Sequence, residues 1–232
     1  MPFTRHGFRE LLVGSLVLAL TGFALGWVWW PLALVILPAL VFLFAFFRDP
    51  ERSSPDDVQT YVSPADGKVS DVTTIDDDPL VGGPATRVGI FLSVFNVHVN
   101  RSPCDGVVKE VIYKKGKFIN ALDHAKASDE NESNTLVIAD PETGEVRAVV
   151  KQIVGLIARR IVCTKQAGDT VTRGERIGMI KFGSRTELTV PKALYPDVLV
   201  AVGDKVQGAR TVMVGVGETH DEAEPLASTT PV

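Results

Sequence analysis

Ala167-Gly168-Asp169-Thr170-Val171-Thr172-Arg173-Gly174-Glu175 and Val202-Gly203-Asp204-Lys205-Val206-Gln207-Gly208-Ala209 share a Gly-Asp-x-Val core followed by glycine. Two equivalent turns are implied, each leading into a short β-branched step. Outward from them the chain keeps the same texture of short β-branched runs punctuated by glycine and proline. It predicts strands over Gly67–Thr74, Arg87–Asn100, Gly106–Tyr113, Asn134–Asp140, Glu145–Gln152, Ile161–Thr164, Arg176–Phe182, Glu187–Val190 and Val212–Val216, with turns such as Pro141-Glu142-Thr143-Gly144 between them. No long amphipathic helix competes, so residues 61–217 read as one mainly β domain.

The paired Gly-Asp turns resemble those of the flattened β-sandwich in biotinyl and lipoyl carrier domains, which implies a sandwich of the barrel-sandwich-hybrid kind. Fold alone does not assign function. A net charge of -4 over 232 residues gives no basic field for nucleic acid, and Cys104 and Cys163 are too far apart in sequence for a CxxC pair. No metal site is expected.

Hydrophobicity is concentrated at the start. From Leu11 to Phe47 there is no charged residue or histidine. A single helix of that length would span about 55 Å, against a hydrocarbon core of about 30 Å. Gly26-Trp27-Val28-Trp29-Trp30-Pro31 supplies a break, so residues 11–47 read as a helical membrane hairpin with arms Leu11–Trp29 and Leu32–Phe47. Arg5 and Arg9 precede it, Arg48 and Arg52 follow it, and the turn is uncharged, which puts both ends in the cytoplasm. Residues 1–10 then form a cytoplasmic N-terminus, 48–60 a polar linker, and 218–232 a disordered acidic tail.

Three places could carry chemistry. Asp66, in Ser63-Pro64-Ala65-Asp66-Gly67, precedes a strand; as an isolated motif this is most often a turn. In Phe91–Asn100, alternation sends Asn96, His98 and Asn100 to a polar face, leaving His98 available for proton transfer; a solvated edge-strand face explains the pattern equally well. Gly183-Ser184 follows a strand, and glycine lets a neighbouring hydroxyl approach its carbonyl, although Gly-Ser is also a common turn. Together, Asp, His and Ser make up a known nucleophile set.

Ser63-Pro64-Ala65-Asp66-Gly67, Val97-His98-Val99-Asn100-Arg101-Ser102-Pro103, Gly116-Lys117-Phe118-Ile119-Asn120-Ala121 and Phe182-Gly183-Ser184-Arg185, in that order, resemble the short-form phosphatidylserine decarboxylases of bacteria and archaea. Asp129–Asn134 is similar to a further family segment, which usually has Arg where this chain has Ser133. The resemblance implies a self-processing zymogen in which Asp66 and His98 activate Ser184 to attack the carbonyl of Gly183. Cleavage between 183 and 184 would convert Ser184 into a pyruvoyl group heading a 49-residue downstream chain that stays associated with the upstream one. That group, without pyridoxal phosphate or metal, would form a Schiff base with phosphatidylserine in the membrane; His98 would return a proton, its tautomer fixed by Asp66. Lys117, Asn120 and Arg185 are candidate substrate-binding residues, with Lys68 and Arg101 as further phosphate partners. Homo-oligomerisation stays open. A carrier modified at Lys205 and a non-catalytic membrane-anchored β module are the alternatives.

Overall fold

A computed structural model of the chain describes residues 3–56, 60–121, 123–156, 160–181, 184–193 and 197–215. The apolar run folds back on itself. Helix α1 (Phe8–Val28) is long and apolar enough to cross a membrane. Trp29 leaves it in an extended conformation, Trp30–Val35 form a 3-10 turn opened by Pro31, and α2 (Ile36–Phe46) returns. The second arm is therefore part 3-10 and part α, not one helix from Leu32. Its eleven α-helical residues rise only about 16 Å, roughly half a hydrocarbon core. Small residues let the arms approach: a Cβ on Gly14 would lie 2.9 Å from Leu43, and one on Gly26 3.4 Å from Ala33.

The rest is mainly β. The strands are β1 (Thr60–Val62), β2 (Gly67–Asp78), β3 (Gly83–Leu92), β4 (Val99–Arg101), β5 (Gly106–Lys114), β6 (Ser133–Ala139), β7 (Val146–Val154), β8 (Arg160–Cys163), β9 (Thr170–Val171), β10 (Arg176–Lys181), β11 (Ser184–Pro191), β12 (Asp197–Val198), β13 (Lys205–Val206) and β14 (Val212–Gly215). They make an eight-stranded sheet, β13-β2-β3-β11-β7-β6-β5-β9, and two three-stranded ones, β1-β14-β12 and β4-β10-β8. A short helix, α3 (His124–Glu130), lies between β5 and β6, where the sequence suggested none. Alternate residues Val88, Ile90, Leu136, Ile138, Val150 and Leu188 are fully buried in one core cluster. Each contributes about 1.5–3 kcal/mol through burial.

The predicted strand Arg87–Asn100 is two strands in different sheets. After Leu92 the Asn96 side-chain oxygen accepts bonds from the Ser93 amide (2.9 Å) and hydroxyl (2.7 Å), closing a turn that alternation does not reveal. The chain then enters β4, which pairs with β10.

The two Gly-Asp turns are equivalent, and the equivalence is wider than the sequence repeat. Gly168 (φ 93°) and Gly203 (φ 104°) turn the chain, and β9 and β13 then pair with β5 and β2. Asp105 Oδ1 accepts the Arg173 amide (2.7 Å), as Asp66 Oδ1 accepts that of Gly208 (2.8 Å). The Gly174 amide donates to Ser102 (2.8 Å), as that of Ala209 donates to Ser63 (2.9 Å). Ser63-Pro64-Ala65-Asp66-Gly67 and Ser102-Pro103-Cys104-Asp105-Gly106 are thus counterparts, and Ala209, not Gly208, is the counterpart of Gly174. Gly174 has φ 82° and Ala209 φ 66°, a conformation that costs an alanine more than a glycine.

Candidate active site

Ser184 heads β11, three residues earlier than the strand was expected to begin, because it pairs with Leu92 of β3 on one side and Val154 of β7 on the other. Flanked by two strands, it is fully buried, and its Oγ has no hydrogen-bond partner among the described residues. A buried hydroxyl left unpaired costs about 1–3 kcal/mol, so this atom is held at the expense of stability. Gly183, the other half of the expected cleavage site, lies outside the described residues, as does the acidic tail.

His98 is buried as well, not on a solvated polar face. Its ring centroid is 4.3 Å from that of Phe46, and its Nδ1 is 2.9 Å from the Asn96 carbonyl oxygen. A carbonyl only accepts, so Nδ1 carries the proton and Nε2 is the basic nitrogen. Burial pushes the His98 pKa down to about 4; the Asn96 bond opposes this, the Arg48 charge adds to it and that of Asp66 opposes it. The imidazole is therefore neutral at pH 7, the form that accepts a proton.

Asp66 does not set that tautomer. Its carboxylate is held by the Arg52 fork, with Nη2 donating to Oδ2 at 2.8 Å and Nη1 to Oδ1, and by the Gly208 amide. It acts on His98 through its charge at longer range. Next to these groups runs a buried polar chain: Asn100 Nδ2 donates to Thr186 Oγ1 (3.0 Å) and Gln152 Nε2 to Asn100 Oδ1 (2.9 Å). Asn100 and Thr186 each lie two residues beyond His98 and Ser184, so this chain ties β4, which His98 immediately precedes, to β11, which Ser184 heads.

The cations divide differently from the sequence reading. Arg185 is fully buried; its Nε donates to Glu187 (2.9 Å), Nη2 to Asp71 (2.9 Å) and Nη1 to Ser70. Its fork is committed within the protein, and the paired carboxylates hold its pKa up. Arg101 is likewise bound to Asp49 (3.0 Å) and to the Gly174 and Pro50 carbonyls. Lys117 forms an exposed pair with Glu130 (2.7 Å). Asn120 lines a cavity of about 320 Å³ with Phe91, Leu92, Ser93, Val94, Ala121 and Leu156, beside the strand partner of Ser184. Lys68 lines a neighbouring cavity of about 240 Å³ with Ser70, Phe91 and His124. Lys205, which the carrier reading would modify, is within β13, opposite Lys68.

Sequence reasoning missed Arg52 and Phe46 as parts of this centre, having placed them in a linker and in the hairpin. The dense charge alternation of Arg48-Asp49-Pro50-Glu51-Arg52 was the available signal.

The chain matches the family described as "Phosphatidylserine decarboxylase" over residues 40–214. It is 44% identical over 212 residues to a protein of Rhodopirellula baltica named "Phosphatidylserine decarboxylase proenzyme", covering 91% of this chain and 87% of that one. A protein of the same name from Solidesulfovibrio magneticus is 50% identical over 204 residues, covering 87% of this chain and 91% of its own length. One from Neisseria gonorrhoeae is 42% identical over 199 residues, covering 86% and 74%.

Proposed function

This chain belongs to the phosphatidylserine decarboxylase family, and from that premise we propose that it is a self-processing decarboxylase converting phosphatidylserine into phosphatidylethanolamine and CO2. The observation that carries the proposal is Ser184, a buried hydroxyl with no partner among the described residues, at the head of a central strand. Such an atom suits a nucleophile whose partner is the neighbouring peptide carbonyl.

In the first stage His98 Nε2 takes the Ser184 proton while Oγ bonds to the Gly183 carbonyl carbon; the Gly183–Ser184 C–N bond then breaks as His98 gives that proton to the departing nitrogen, leaving an ester and a free amine. A neutral histidine is needed here, and burial against Phe46 keeps it neutral. Loss of the Ser184 α-proton to a base then breaks the Cβ–Oγ bond, separating an upstream carboxylate from a downstream dehydroalanine, whose imine tautomer takes up water and releases ammonia. The pyruvoyl group that results supplies an electrophilic carbonyl able to take up the electrons left when CO2 departs. His98 serves as proton donor in turnover only after picking up a proton during the cycle, because its pKa near 4 leaves it uncharged at rest.

Asn120 and the cavity it lines offer an apolar wall beside the strand end, and Lys68 with His124 offers polar groups next to it. The apolar helix α1 is long enough to anchor the enzyme where its lipid substrate resides, and the arginines at both hairpin ends support a β region on the cytoplasmic side. The test is intact mass under denaturing conditions. Wild type is expected as two pieces summing to about 25.1 kDa, the smaller without a free amino terminus, and Ser184→Ala as one. Intact, active wild type would falsify the proposal.

A further inference from the structure

The segment that leaves the membrane hairpin reaches both members of the proton-handling pair. Phe46, the last residue of α2, is buried with its ring 4.3 Å from His98 and tilted 34° to it. Six residues on, Arg52 grips the Asp66 carboxylate with both arms of its fork and donates to the Gly208 carbonyl at 2.8 Å. The residues that directly follow Phe46 are clamped. Phe47 is fully buried against Phe46 (5.0 Å), and its carbonyl accepts the Thr4 amide at 3.0 Å. A Cβ on Gly7 would fall 2.0 Å from the Phe47 ring, so the start of the hairpin closes over it. Arg48 donates to the Phe95 carbonyl (2.7 Å), three residues before His98. Asp49 accepts from Arg101 (3.0 Å) and Arg176 (2.6 Å). From α1, Glu10 pairs at 2.6 Å with Lys181, a nearly buried side chain three residues before Ser184.

Resting on the decarboxylase reading above, we infer that Phe46 and Arg52 are positioning residues for His98 and Asp66, so that the end of the hairpin is part of the reaction centre as well as its tether. The physical requirement is plain. A packed aromatic face limits rocking of an imidazole about its ring torsion, a restraint that a hydrogen bond at Nδ1 does not itself supply. A buried carboxylate with a single amide donor would swing or take up a proton, and a bidentate guanidinium fixes its plane and its charge. The charges that act on His98 are Arg48 on the hairpin exit and Asp66, itself held by Arg52; on the β10 side the Ile180 amide donates to the His98 carbonyl, and the next residue, Lys181, is paired with Glu10. Removing Arg52 leaves the Asp66 charge less compensated, and removing the Phe46 ring lets water reach the imidazole. Either change makes His98 easier to protonate and moves the acid limb of processing upward.

The test follows conversion of full-length proenzyme into its two chains over time, after cell-free synthesis into lipid nanodiscs, across pH 4 to 8. Arg52→Ala is expected to slow conversion roughly tenfold to a hundredfold, as small misplacements of reacting groups do. Arg52→Lys should recover part of the rate, and free guanidinium should restore Arg52→Ala where equal sodium chloride does not. Arg147→Ala, which breaks the Arg147–Asp140 pair elsewhere, should leave rate and limb unchanged. A folded Arg52→Ala that converts at the wild-type rate overturns the inference. If Arg52→Ala does not fold, Phe46→Leu decides: a limb moved upward supports the inference, and an unmoved limb and rate overturn it. Failure of wild type itself to convert would instead sink the decarboxylase reading.

Discussion

Arg185 offers the sharpest division between two roles. As a substrate-phosphate ligand, its loss would weaken substrate binding and leave the fold alone. The structure instead gives its guanidinium to Glu187 and Asp71, with Glu187 almost as buried as Arg185 itself. Arg185→Met would leave the Glu187 carboxylate with the Ser128 hydroxyl as its hydrogen-bond partner and only the charge of Lys151, opposite it on β7, as compensation among the described residues. Breaking a buried pair by removing one partner costs about 3–5 kcal/mol, a large part of the 5–15 kcal/mol typical of a domain. Ser184→Ala is the proper background, because one uncleaved chain unfolds as a single species. All three tryptophans, Trp27, Trp29 and Trp30, are in the hairpin, so unfolding in urea is best followed by far-ultraviolet circular dichroism in detergent. At a slope of about 2 kcal/mol per molar urea, a loss of about 4 kcal/mol lowers the midpoint by about 2 M. Adding Glu187→Gln should recover about 1–3 kcal/mol, since the partner's charge no longer needs compensation. A midpoint for Arg185→Met within about 0.5 M of its parent would refute this reasoning and return the residue to the substrate.

Two further outcomes follow from local features. Ala209→Gly should raise stability by about 0.5–1 kcal/mol, read as a higher urea midpoint, because φ 66° suits glycine as it does at the counterpart Gly174; a lower midpoint would show that the methyl group packs better than it strains. His98 should make the fold acid-sensitive: its folded pKa near 4 lies below the ordinary 6.5, so the unfolded chain binds a proton that the folded one refuses. Stability is then complete above pH 6.5 and falls by about 2.5 kcal/mol on going to pH 4.5. In Ser184→Ala, His98→Gln should flatten that slope in urea titrations at pH 7 and 4.5, and an unchanged slope would contradict the assignment.

Local chemistry was legible in the sequence, and long-range pairing was not. The Gly-Asp turns could be read because glycine at positive φ and an aspartate capping its own turn are local requirements, and Gly168 and Gly203 meet them. The hairpin could be read because an uncharged run and Pro31 are local too. The break after Leu92 could not: apolar and polar residues alternate from Phe95 to Asn100 as in a strand, and a side-chain bond between Asn96 and Ser93 ends the strand. Asp66, His98 and Ser184 stand out as motif positions, but the motifs do not show what surrounds them. Arg52 lies 14 residues from Asp66, and Asp71 lies 114 residues from Arg185; no periodicity records such partners.

The place of β11 in the large sheet has a consequence for the life of the molecule. This strand runs between β3 and β7, paired from Ser184 opposite Leu92 to Pro191 opposite Ala85. On the proposed reading, a cut before Ser184 would free the end of an interior strand with neighbours on both sides, and pairing with both would hold the newly made piece. Before the cut, a chain that unfolds can find its way back alone. Afterwards β11 belongs to a second molecule, and its return depends on concentration. On that reading, maturation would exchange a one-chain fold for one that lasts only as long as it does not open, and the lifetime of the cleaved enzyme would be set by a rate of unfolding and not by an equilibrium.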